Sequence, residues 1–383
     1  MIPPRMENLK KKFKSRYGNN PILISAPGRI NLIGEHTDYN QGLALPAAIG
    51  RRMTLAIAPS GSRRCRIFAD GYGQAEFSLD ELKPVPGWMG YVMGVAAGIV
   101  RQGLKIGGFD LMVESGIPVG AGLSSSAALC CGLCFGLSEI FGLKMHRKEM
   151  ALVAQYAEHQ FAGVRCGLMD QYASLFGKGG SALFLDFRDL DFKIVPLQLG
   201  ERVIMLVNSG VSHELAGTAY NKRRESCELG VKLISERYPV QSLREVGLDM
   251  LDEFRPKAGE EVYKRCRYVV EEIERVKQAV VFLDEGDYRS FGELLYSTHR
   301  GLSEDYEVGC SETDFLVEAA AESGLVHGAR MMGGGFGGCT LNILEGSNTD
   351  AFREIVQEKY LARFGKEPDF YQVAPAEGVF MML

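Results

Sequence analysis

Twelve consecutive residues, 29–40, contain Arg29, Asn31, Glu35, His36, Thr37, Asp38, Tyr39 and Asn40. Forked donors and acceptors at this density suit a polyhydroxylated ligand, in which every hydroxyl requires a partner at a fixed position. A polar surface loop would use the same residue types. Ile30, Leu32 and Ile33, interleaved among them, favour a segment anchored inward between two apolar strands.

A second stretch, Pro118-Val119-Gly120-Ala121-Gly122-Leu123-Ser124-Ser125-Ser126-Ala127, joins a strand-like segment to a helix-like one. Small residues let the backbone approach a ligand closely, and a helix start offers unpaired N–H groups and a positive dipole end. The combination makes an anion site suited to phosphate, with serine hydroxyls for phosphate oxygens and a metal ion. No Gly-Lys-Ser/Thr ends it, so it is not a Walker A loop. A turn followed by a serine-capped helix is the alternative. The late cluster Gly333-Gly334-Gly335-Phe336-Gly337-Gly338 formally matches Gly-x-Gly-x-x-Gly, yet 339–344 reads as a strand where a dinucleotide site needs a helix. Five glycines in six positions imply unusual dihedrals or close approach of another element, as a structural loop or as one pressed on a nucleotide site. Asp170 stands beside Leu168, Met169 and Tyr172 in a glycine-flanked apolar stretch, and Glu158 lies twelve residues earlier on a helical pattern. Acids so placed are ion-pair partners or are kept for function, Glu158 as a candidate metal carboxylate.

The elements that must position these groups alternate in the first half of the chain. Segments 22–26, 43–58, 66–77 and 109–114 have β-type composition, while 88–102, 126–141 and 147–161 have helical patterns. Strands are expected at 182–185 and 203–207. From 220 to 302 charged helical patterns dominate. The chain closes with a helix (313–322), the glycine cluster, a strand (339–344), a helix (349–363) and a strand at 370–373. With 383 residues the chain exceeds what one core usually supports. The composition shift puts a boundary near 190–205, with domains 1–197 and 198–383 flanking a cleft and the last strand expected to pack back on the first domain.

Hydrophobic residues at 46% and charged residues at 24% are ordinary for a globular protein. A net charge of −5 argues against a general nucleic-acid or anionic-membrane surface. The basic run Lys10, Lys11, Lys12, Lys14 and Arg16, interleaved with Leu9, Phe13 and Tyr17, reads as the solvated face of a short helix. Residues 1–25 lack the apolar core of a signal peptide, and the longest near-apolar run, 91–100, is too short to span a bilayer. The expected location is the cytoplasm. Nine cysteines, an odd number, fit free thiols in a reducing compartment. Cys130, Cys131 and Cys134 lie in an apolar helical stretch with no second ligand pair, so they read as buried core rather than as a metal or redox site.

Taken together, the three motifs resemble those of the galactokinases, within the GHMP superfamily of small-molecule kinases that includes homoserine and mevalonate kinases. Residues 28–40 match the sugar-specific pattern almost letter for letter, and 118–127 and 333–338 match the superfamily's nucleotide loop and late glycine loop. The likeness continues through 166–174, 208–224 and 297–308, so it covers nearly the whole chain. Thr298-His299-Arg300-Gly301 departs from the expected Ser-His-x-Ser without touching a catalytic group. The resemblance implies an α+β, two-domain GHMP-kinase fold: an N-terminal mixed-sheet and helix domain, a ferredoxin-like C-terminal α/β domain, and the active site between them. It implies ATP-dependent phosphorylation of galactose at the 1-hydroxyl, with Mg²⁺ as cofactor and a monomer as the expected state. Glu35, His36, Thr37 and Asp38 are assigned to the sugar, with Gly167 and Tyr220 in the same pocket. Gly120, Ala121, Gly122, Leu123, Ser124, Ser125 and Ser126 are assigned to ATP, Ser126 and Glu158 to the metal, and Asp170 and Arg29 to catalysis. A kinase for N-acetylgalactosamine, galacturonate or arabinose is the near alternative. A sugar-sensing protein without turnover is the alternative from another class, and a dehydrogenase is a distant third.

Overall fold

A computed structural model describes residues 4–118, 120–211 and 216–382; Val119 of the phosphate-type loop and 212–215 of the 208–224 likeness lie outside the described residues. Helix α1 (Pro4–Tyr17) buries Leu9 and Phe13 and turns Lys11, Lys12, Lys14 and Arg16 to solvent, as the basic run suggested. Strand β1 (Ile22–Asn31) is buried along nearly its whole length because sheet neighbours and helices cover both its faces. After the short β2 (Leu43–Ala44), β3 (Pro46–Pro59) returns antiparallel to β1, with a register shift between Pro27 and Arg29. The single strand expected over 66–77 is a hairpin, β4 (Arg64–Ala69) and β5 (Gly73–Ser78). Gly71 and Gly73, both at positive φ, make the turn that the alternating pattern concealed.

Helix α2 (Trp88–Arg101) and β6 (Phe109–Ser115) precede α3 (Ser125–Phe141), α4 (Arg147–Phe161) and the short α5 (Met169–Phe176), the last not anticipated as a helix. Six strands form one mixed sheet in the order β13-β1-β3-β6-β4-β5, where β13 (Phe380–Met382) comes from the far end of the chain. Helix α3 presses on β1 and β3 so closely that a Cβ at Gly132 would lie 2.8 Å from the Ala26 methyl carbon. Cys130, Cys131 and Cys134 on this helix are buried free thiols in the core. β2 joins β7 (Ser181–Asp186) and β8 (Asp191–Pro196) in a three-stranded sheet.

The remaining strands are β9 (Arg202–Asn208), β10 (Val326–Met331), β11 (Cys339–Glu345) and β12 (Asp369–Val373). They form an antiparallel sheet in the order β10-β11-β9-β12, which is the ferredoxin-like arrangement. Around it lie α6 (Ala216–Ile234), α7 (Leu248–Glu285), α8 (Tyr288–Arg300), α9 (Ser311–Ser323) and α10 (Thr349–Phe364). The long charged stretch is thus three helices, with α7 kinked where Gly259 leaves helical geometry three residues after Pro256. One continuous apolar cluster runs from Ile24 and Leu55 of the first sheet to Leu206 and Leu341 of the second. Among the described residues no helix is long and apolar enough to cross a membrane.

Candidate active site

β1 ends and α5 begins on the same cavity, of about 290 Å³. Arg29, 5% exposed, donates from Nε to Asp170 Oδ1 at 2.7 Å and from Nη2 to Oδ2 at 2.8 Å, while Nη1 donates to the Gly122 carbonyl. A bidentate pair of this kind fixes both planes. Ser124 donates its hydroxyl to Asp170 Oδ2, the oxygen that accepts from Arg29 Nη2, from a backbone at φ 56° that non-glycine residues seldom adopt. The resemblance assigned Ser124 to ATP; in this structure its hydroxyl points to Asp170.

The sugar-type segment turns inward, as its apolar residues implied. Glu35, His36 and Asp38 line the cavity together with Gly167 and Tyr220. His36 Nδ1 lies 2.7 Å from the Tyr39 hydroxyl, and its ring lies 5.0 Å from that of Tyr220. Burial pushes the pKa of His36 down to about 3, so the imidazole is neutral. Burial, and then the neighbouring Asp170, pushes Asp38 up to about 7. Gly167 has no space for a side chain, since a Cβ there would lie 2.0 Å from Asp38 Oδ2. Thr37 differs from its expected role. Its hydroxyl oxygen sits 2.6 Å from the Leu43 carbonyl and 3.0 Å from that of Gly34, and it does not line the cavity. It closes the turn that presents its neighbours.

Gly120 and Gly122 both adopt positive φ, and the side chains of Ala121 and Leu123 are buried in the core. Only backbone from those two residues is available to a ligand, followed at Ser125 and Ser126 by the first turn of α3 with its unpaired N–H groups. Ser126 Oγ stands 3.5 Å from Glu158 Oε2. Glu158 is buried and accepts from Gln171 at 3.0 Å, and among the described residues no basic side chain pairs with it. Burial, and then Asp170, pushes its pKa up to about 7. A carboxylate and a hydroxyl on one cavity wall, short of positive charge, fit a hard divalent cation. The glycine cluster joins β10 to β11, two strands with no helix after it, which removes the dinucleotide reading. It lies against the phosphate-type loop: a Cβ on Gly338 would be 3.3 Å from the Ala121 carbonyl carbon.

Two features escaped the sequence reading. A second cavity of about 360 Å³ shares Ser126 with the first and is walled by Tyr72, Trp88, Tyr91 and Leu129. Trp88 and Tyr91 sit on the helix expected over 88–102, which drew no functional reading; the chain's single tryptophan at a helix start was the available signal. Arg330, fully buried on β10, donates to Glu35 Oε1 at 2.6 Å. Nothing in the local pattern of a strand distinguishes it.

The galactokinase galactose-binding signature matches residues 11–59, the GHMP kinase N-terminal domain matches 90–178, and the GHMP kinase C-terminal domain matches 251–362. The galactokinase of Thermotoga maritima is 39% identical over 93% of this chain and 99% of its own. That of Canis lupus familiaris is 41% identical over 94% of each. The crystal structure of Lactococcus lactis galactokinase complexed with galactose superposes with a TM-score of 0.95 at 34% identity, covering 99% of this chain and 100% of that one. Methanococcus jannaschii mevalonate kinase, at 15% identity and a TM-score of 0.63 over 94% of this chain and 99% of its own, shares the fold. A signature on the sugar segment, matching kinase domains on either side of the cavity, and relatives alike from end to end together make this chain a member of the galactokinase family.

Proposed function

We propose that the joined cavities bind galactose and ATP, and that the chain transfers the γ-phosphoryl group of ATP to the sugar's 1-hydroxyl, giving galactose 1-phosphate and ADP. The observation that carries this reading is the Arg29–Asp170 fork, standing in one cavity with Asp38 of the sugar segment and Ser126 at the start of α3. Asp38, Glu35 and His36 hold the sugar hydroxyls, with Tyr220 and Gly167 as walls. The aromatic cavity takes the adenine and ribose, which carries the phosphates past Ser125 and Ser126 toward Asp170. Ser126 and Glu158 would hold Mg²⁺, which supplies neutralisation of the phosphate charge when bound. Asp170 accepts the hydrogen of the 1-hydroxyl and aims its oxygen. Arg29 keeps positive charge beside the phosphoryl group in flight. Phosphoryl transfer through a loose transition state needs mainly positioning and charge neutralisation, so a firmly paired aspartate suffices.

The test is ADP release measured over galactose, N-acetylgalactosamine, galacturonate, arabinose and glucose. Galactose should give the highest kcat/KM, with dependence on ATP and Mg²⁺. Higher kcat/KM on another sugar assigns that sugar instead. Galactose binding without ADP release from any sugar would make the chain a binding protein.

A further inference from the structure

Glu35 is shared between two parts of the molecule. Its Oε1 accepts from Arg330 Nη2 at 2.6 Å and from the main-chain N–H of Gly333 at 2.7 Å. Arg330 lies fully buried at the end of β10 and lines neither cavity. Its Nη1 donates to the carbonyls of Leu32 at 2.9 Å and Asn31 at 3.2 Å, and its Nε donates to that of Met331 at 2.9 Å. One guanidinium therefore ties the second sheet to the end of β1 and to the segment carrying the sugar-facing residues. Gly333, on the same carboxylate oxygen, opens the glycine loop, and a Cβ on it would meet the Gly122 carbonyl oxygen at 3.3 Å. That carbonyl is the acceptor for Arg29 Nη1.

We infer that Arg330 is a positioning residue for sugar recognition: by occupying Glu35 Oε1 together with Gly333, it reserves the second carboxylate oxygen for a sugar hydroxyl and sets its place relative to the phosphate loop. The inference rests on the reading of the cavity as the sugar site. The fork geometry is what the role requires. Arginine presents several donors in a rigid plane, whereas lysine keeps the charge and reaches only part of this acceptor set. A residue that merely stabilised the fold would lower the melting temperature without separating the sugar constant from the nucleotide constant.

The experiment compares wild type, R330K and R330M for galactose KM, ATP KM, kcat and Tm. R330K should raise galactose KM about tenfold and R330M about a hundredfold, with ATP KM within about twofold of wild type, as loss of binding at one substrate predicts. In an E35Q background R330K should raise galactose KM no further, since the two act as a unit. Galactose KM unmoved in R330K, or both KM values rising in parallel as Tm falls, would overturn the role. Should R330M fail to fold, R330K and calorimetric galactose binding decide the matter on the same criteria. A wild type without galactose turnover defeats the site reading itself. A wild type that turns over galactose, beside variants with an unchanged galactose constant, defeats only the role of Arg330.

Discussion

Asp170 is held by two nitrogens of Arg29 and by the Ser124 hydroxyl, with 27% of its side chain still open. That residual opening is where a hydroxyl would approach. Asp170→Asn keeps the shape and removes the negative charge. It should lower kcat by about 10²–10⁴-fold, the range for a lost acid–base group, with ATP affinity within about threefold of wild type. Both variants leave the buried Arg29 charge without its counter-ion, a change that costs about 3–5 kcal/mol at buried pairs, so Tm should fall in each, further in Asp170→Ala, which also removes the hydrogen-bond acceptors. Near-normal turnover by Asp170→Asn would reduce Asp170 to an anchor for Arg29. Of these contacts, the resemblance placed Arg29 and Asp170 together in catalysis, while the residues alone showed only that Asp170 stands among apolar neighbours. The Ser124 bond was hidden because a hydroxyl in a serine run has no readable direction until its φ is known.

At the scale of elements, the site depends on two connections that leave no slack. Gly167, between α4 and α5, abuts Asp38 in the turn Asp38–Asn40, and a methyl group there would overlap the carboxylate at 2.0 Å. Gly167→Ala should displace Asp38, raising galactose KM by about tenfold or more while ATP KM stays within about twofold, because only one substrate's binding is weakened. Substrate-saturation curves for each substrate check this, and an unchanged galactose KM would remove Asp38 from the sugar contacts. The phosphate loop is the second connection. Its glycine geometry and the helix behind it were legible because turn residues and the start of an apolar helical pattern are local signals. The β4–β5 turn and α5 were not: a two-glycine turn inside an alternating run preserves the strand signature, and an eight-residue helix is too short for its period to stand out.

For the whole molecule, two buried groups of the sugar segment respond to pH in opposite directions. His36, with its pKa pushed down to about 3 by burial, stays neutral where an unfolded histidine would protonate, so its contribution weakens as pH falls from about 6.5 toward 3. Asp38, pushed up to about 7 by burial and Asp170, binds a proton more tightly folded than unfolded. Its contribution strengthens as pH falls from about 7 toward 4 and is lost as pH rises through 7. The groups felt by Asp38 include Glu35 and Arg224, with Cys166 and Tyr220 also nearby. Asp38→Asn removes the second response. The difference in Tm between Asp38→Asn and wild type should therefore be more favourable to the variant at pH 8 than at pH 5. Calorimetric scans across that range check the sign, and the reverse order would show that the folded chain does not hold Asp38 protonated.

What the sequence determined by itself was contiguous chemistry. The inward-anchored polar segment 29–40, the glycine–serine loop before α3 and the buried cysteines of α3 are written in neighbours along the chain, where spacing, turn chemistry and apolar period act locally. What only the tertiary structure decided were pairings across the chain. Arg29 meets Asp170 over 141 positions and Glu35 meets Arg330 over 295. The same packing turned Thr37 away from the cavity and opened an aromatic cavity beside Ser126. The physical reason is that such contacts are chosen by sheet order and by which charges burial forces together, and neither quantity is carried by any stretch short enough to read alone.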